Sequence, residues 1–149
     1  MKIAFTFAAV LLFAASTATA KCVDYTEADG KIGSSVCVTG KVVKVAQSAS
    51  GTFYLNFCEK YRNCPFTVVV FPSSLKNVGD VRPLEGQMIE IFGKVTRWQG
   101  HAEIILRDAR QLKGEAAKLP PVPKEFDVEK KGKFSSTAPS TKKDKSQQQ

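Results

Sequence analysis

At 149 residues the chain has room for one ordinary domain but not two once its ends are set aside. Its formal charge of +8 is unevenly spread: Lys21 to Leu112 holds 12 basic and 9 acidic residues, Lys113 to Gln149 holds 9 and 5, and Lys2 supplies the remaining unit. That balance suits polyanions such as nucleic acid or anionic surfaces, and equally an ordinary secreted protein, so charge alone excludes little.

Residues 1–20 read as a secretory signal. Lys2 is the positive start, Ile3 to Ala15 the apolar core, and Ala18-Thr19-Ala20 a small-residue site for cleavage after Ala20. The apolar run is short for a membrane span and no basic stop-transfer segment follows, so no transmembrane segment is expected after cleavage. Lys21 separates the site from Cys22, which argues against a lipid-modified N-terminus. The expectation is a secreted or periplasmic protein, in a compartment where disulfides persist.

Lys21 to Ser35 lacks a regular pattern and reads as a lead-in arm or one short helical turn, tied to the body through Cys22. Val36 to Ala46 is the first expected strand, with Val36, Val38 and Val42 on one face. Gly40 and the double valine at 42 and 43 predict a bulge or sharp coil within it. Gly51 to Cys58 alternates Phe53, Leu55 and Phe57 inward with Tyr54 and Asn56 outward. Pro65 to Phe71 puts Phe66, Val68 and Val70 inward, and Thr67, Val69 and Phe71 outward. After Pro72, with Ser73 or Ser74 as cap, the spacing of Leu75, Val78 and Val81 predicts a short helix or an irregular plug. Gln87 to Trp98 is the fourth strand, with Ile89, Ile91 and Val95 inward. A tight turn at Gln99-Gly100 leads to the fifth, His101 to Arg107, with Ala102, Ile104 and Leu106 inward. Lys113 to Glu129 is expected as a partly docked extension, and Lys130 to Gln149 is too poor in apolar residues to offset ordering entropy and is expected to be disordered.

Five strands with a helical connection between the third and fourth give an all-β fold with a small α contribution, in the order of a five-stranded OB-fold barrel. The boundaries are 1–20 signal, 21–35 arm, 36–112 barrel and 113–149 tail.

The segments VCVTGKVVKV, GTFYLNF, FTVVVF, LEGQMIEIFGKVTRWQG and HAEIILRDARQL resemble the nucleic-acid-binding OB-fold domains of the anticodon-binding and single-strand-binding type. The likeness covers residues 36–112 and is specific for fold more than for ligand. It implies a ligand lying across strands two and three and between the one–two and four–five loops. The residues it maps to that face are Lys41, Lys44, Tyr54, Asn56, Lys60, Tyr61, Arg62, Thr67, Lys94, Arg97 and Trp98. Tyr54, Tyr61 and Trp98 would stack on bases inside a cationic groove, or else Tyr54 and Trp98 would pack beneath the arm or tail. The leader, the cysteines and the basic tail depart from the intracellular members.

Four cysteines allow three connectivities. The local one, Cys58–Cys64 with Cys22–Cys37, is the expected one, and the spacing suits neither a four-thiolate metal site nor a redox pair. No metal and no cofactor is expected. His101 and Glu103 share a strand face, but a lone histidine there is ordinarily only solvated. An OB-type nuclease would need converging carboxylates, and Asp24, Glu27, Asp29, Asp80, Glu85, Glu90 and Asp108 do not converge in sequence. The expected partner is single-stranded nucleic acid or another polyanion, bound without catalysis; an envelope protein or glycan partner is the alternative.

Overall fold

A computed structural model describes residues 21–123 together with 126–127 and 133–134. The expected signal at 1–20 and almost all of the expected disordered stretch at 130–149 lie outside the described residues.

The fold is predominantly β, with short helical turns. Two principal sheets hold eight strands. β1 (Val23–Asp24) runs parallel to β2 (Ser35–Lys41), which pairs antiparallel with β6 (Met88–Lys94). The second sheet has the order β3-β4-β5-β8-β7, built from Lys44–Gln47, Phe53–Asn56, Phe66–Val70, His101–Ile105 and Thr96–Trp98 respectively. Within it β5 and β8 run parallel and the other neighbours antiparallel. A separate ribbon pairs β9 (Phe126–Asp127) with β10 (Lys133–Phe134).

This departs from the expected barrel of five continuous strands. The edges of the larger sheet, β3 and β7, do not pair with each other, so no ladder runs round the whole circuit. The expected first strand is broken at its double valine. Val42 N–H donates to Gln87 O at 2.9 Å, whereas Val43 N–H donates to Asn56 O at 2.8 Å, so adjacent residues bond to different sheets. The expected fourth strand breaks at Val95, whose N–H donates to Ser34 O at 2.9 Å before Thr96 pairs with Glu103. Val42 and Val95 are both fully buried, so each handover is pinned by a side chain in the core.

The core is contiguous between the sheets. Val38, Leu55, Phe66, Val68, Ile89, Ile91, Ile104 and Leu106 are fully enclosed, and burying a side chain of that size contributes about 1.5–3 kcal/mol. Gly40 is needed here because a Cβ would stand 2.7 Å from a Phe57 ring carbon and 2.8 Å from one of Tyr25. The N-terminal segment supplies part of this core: Asp24 caps a 3-10 turn over Tyr25–Lys31 by accepting from Thr26 N–H, Ala28 is fully buried, and Tyr25 stacks on Phe57 at 5.5 Å.

The connection after β5 is a 3-10 turn at Pro72–Ser74 running into α1 (Leu75–Val78), which buries Leu75 and Val78. The expected serine cap is absent: Pro72, at the start of the turn, needs no N–H partner, and neither serine side chain caps. Past Leu112 the chain stays on the body through Lys113 N–H to Glu90 O (3.0 Å) and Asp80 N–H to Pro120 O (2.9 Å). Both Cys22–Cys37 and Cys58–Cys64 are bridged, a state that persists in oxidising compartments. Among the described residues no helix is long and apolar enough to cross a membrane.

Candidate functional site

The larger sheet turns one face to the core and the other outward. Register sets the outward rows: Lys44, Asn56, Thr67, Glu103 and Thr96 form one, and Ala46, Tyr54, Val69 and Ile105 the next. Two connections border this face. Gln99 (φ 47) and Gly100 (φ 84) both adopt positive φ, the geometry of a two-residue hairpin turn that matches strand twist. The turn sets Trp98 opposite His101. The other border is the Cys58–Cys64 loop, where a 3-10 turn at Tyr61–Asn63 brings Tyr61 back over the sheet.

Tyr61 stacks on His101 with ring centres 5.0 Å apart and meets Tyr54 edge-on at 6.4 Å. The His101 ring is fixed from beneath by Nδ1, which lies 2.7 Å from Cys64 O and, facing a carbonyl, carries the proton. A concavity of about 510 Å³ opens between Ala46, Tyr54, Asn56, Tyr61, Trp98 and Gln99. A neighbouring recess of about 400 Å³ is lined by Tyr54, Val69, Phe71, Trp98, Glu103 and Ile105. Trp98 is 61% exposed and Phe71 43%, so neither is covered by the arm or the described part of the tail.

The expected platform residues Tyr54, Tyr61 and Trp98 are thus brought to one concavity. Lys44 stands at the exposed end of its row, and Lys60 and Arg62 are exposed on either side of Tyr61. Other expected residues are placed differently. Asn56 and Thr67 face the right way but are 8% and 2% exposed, and the Thr67 hydroxyl donates to Leu55 O at 3.1 Å while lying 3.3 Å from Asn56 Oδ1. They support the floor rather than offer free donors. Lys41 and Lys94 belong to the smaller sheet, opposite Met88 and Ser35. Arg97 is out of phase with Trp98 and pairs with Asp29 of the N-terminal turn at 2.9 Å.

The expected list lacks Phe71, Ile105 and Glu103. Their outward phase was readable; Phe71 follows β5, the hairpin partner of the Tyr54 strand, but the place of Glu103 and Ile105 depends on the parallel β5–β8 pairing, which no local pattern encodes. Burial raises the Glu103 carboxyl above the ordinary glutamate value, and the Thr96 hydroxyl only partly offsets this. Tyr61 is raised as well, first by burial and then by Tyr54 and Glu103.

The acidic residues are dispersed. Asp24 caps its turn, Asp29 holds Arg97, Asp80 holds Arg82, Asp108 holds Arg110, and Glu85 accepts from Val45 N–H. Cys22, Cys37 and Glu90 come together, but the two sulfurs are joined to each other and offer no thiolate. No family model matches the chain, and no curated protein matches it in sequence.

Proposed function

We propose that the chain is a secreted or periplasmic, non-catalytic module that binds single-stranded nucleic acid on the outer face of its larger sheet. In this reading the two sheets act as halves of one OB-type barrel. β2 with β3, and β6 with β7, would each be one strand that bends at a buried valine, closed through the β2–β6 pairing. The observation that carries the reading is an exposed Trp98 beside Tyr54 and Tyr61 around one concavity. Stacking on aromatic side chains accepts any base and contributes about 1–3 kcal/mol per base. Lys44, paired with Asn56, and Lys60 and Arg62, flanking Tyr61, are exposed cations that would meet a phosphate backbone, and contacts of that kind make binding salt-dependent.

The test is an anisotropy titration of a labelled single-stranded oligonucleotide against the mature chain at low and raised salt. Binding should weaken with salt and should be lost when Tyr54, Tyr61 and Trp98 become alanine together. Absence of binding at low salt, or binding untouched by the triple substitution, sinks the proposal.

A further inference from the structure

The outer face of the larger sheet carries one group that a surface built only for polyanions would be better without. Glu103 lies in register between Thr67 on β5 and Thr96 on β7, on a strand paired on both sides rather than on an edge strand. It is partly buried, and Tyr54, Phe71 and Trp98 wall the same recess with Val69 and Ile105. A carboxylate only accepts hydrogen bonds and has about four lone-pair positions to satisfy. Among the described residues its side chain meets just the Thr96 hydroxyl, at 3.5 Å, the outer limit of a hydrogen bond. The hydroxyl of Thr67, its other neighbour, is committed to Leu55 O. The ion pairs found among the described residues involve other acids. Partly buried beside aromatic walls, its oxygens keep room to accept N–H groups that a ligand would bring.

We infer that Glu103 is the specificity-determining residue of this face and selects guanine; the inference rests on the nucleic-acid reading above. A base stacked against Tyr54 or Trp98 would turn its edge toward Glu103. Guanine presents N1–H and N2–H side by side, a two-pronged donor that matches the two carboxylate oxygens. Adenine and cytosine present one exocyclic amine next to an acceptor nitrogen, which repels the second oxygen. Thymine and uracil flank their single N3–H with two carbonyls. The aromatic walls hold a planar ring of any kind, while the acid discriminates among edges, so stacking and selection fall to different residues.

Trp98 is the chain's one tryptophan, so quenching of its fluorescence reports stacking at the site. The mature full chain is titrated with short thymine oligonucleotides carrying at one central position guanine, inosine (which lacks the N2 amine), adenine or thymine. The guanine oligonucleotide should bind about tenfold more tightly than the other three, as expected for a bidentate base contact. Glu103→Gln should shrink that preference to about twofold or less, since the neutral amide keeps one acceptor and turns a donor toward the base. Glu103→Asp, which withdraws the charge by one methylene, should reduce it part-way. In both variants the circular dichroism spectrum and the Trp98 emission without oligonucleotide should match the native chain, which separates loss of selection from loss of fold. Equal affinities in the native chain, or a Glu103→Gln variant that tightens every oligonucleotide alike, overturn the assignment and leave stacking standing. Silence of Trp98 toward every oligonucleotide, thymine included, overturns the stacking platform itself and the assignment with it.

Discussion

Both sheets expose large apolar side chains and make different surfaces of them. On the smaller sheet Phe92 is 49% and Met88 66% exposed, but Glu90 stands between them on β6, and their cross-strand partners are Cys37 and Lys41. On the larger sheet Tyr54, Tyr61, Phe71 and Trp98 line two adjoining recesses. Strand alternation alone produces the first kind of surface, apolar residues spaced by charges. The second kind needs borders: a hairpin turn that delivers Trp98 and a bridged loop that folds Tyr61 back over His101. Clustering comes from the connections, not from the strands.

The largest effect that would test this contrast is on binding. Replacing Tyr54, Tyr61 and Trp98 together by alanine should weaken oligonucleotide affinity at least about 100-fold, given the usual stacking contribution per base. Replacing Phe92 and Met88 together should change it less than about twofold, and the two titrations side by side decide whether the faces differ in function.

The disulfides sharpen the same comparison, because stability and binding should rank them oppositely. Cys22–Cys37 closes a separation of 15 residues and ties the arm to the smaller sheet, whereas Cys58–Cys64 closes 6. Loop-closure entropy puts their contributions at about 3 and about 2 kcal/mol. Cys22→Ser/Cys37→Ser should therefore lower the urea midpoint more, while Cys58→Ser/Cys64→Ser should lower affinity more, by releasing Tyr61.

A smaller effect is the pH dependence at Glu103. Its folded-state carboxyl titrates above the ordinary value because of burial, so the folded chain holds the proton more tightly than the unfolded one. The contribution of Glu103 to stability should then be largest below the ordinary glutamate range and decline as pH rises through the raised value. Glu103→Gln removes that decline, so it should raise stability near neutral pH and leave it unchanged at low pH. Urea unfolding of both proteins across this range is the measurement. Least is expected at Arg97: its pair with Asp29 is solvent-exposed, so Arg97→Ala should cost about 0.5 kcal/mol or less and leave affinity within about twofold. A large loss of affinity would return Arg97 to the groove.

Much of the strand content was legible because period-two alternation is a local property. Phe53, Leu55, Phe57, Phe66, Val68, Val70, Ile89, Ile91, Ala102, Ile104 and Leu106 all read as inward, and all are buried. The Gln99-Gly100 turn and the local cysteine pairing were legible for the same reason, since neighbours in sequence have little freedom to be elsewhere. The site was legible in part. Tyr54, Tyr61 and Trp98 could be named from phase and loop position, but the pairing of Arg97 could not, because its partner lies 68 positions earlier, at Asp29.

By itself, then, the sequence determined which residues alternate, where the tight turns fall, which cysteines are near enough to join, and which side of each strand is apolar. Only the tertiary structure decided that the expected fourth strand changes partner at Val95, that β5 lies parallel to β8, and that the N-terminal turn enters the core. Those outcomes depend on which distant segments share one hydrophobic interior, and burial makes that choice through Val42, Val95 and Ala28. The same choice set Glu103 among the aromatic residues of the outer face.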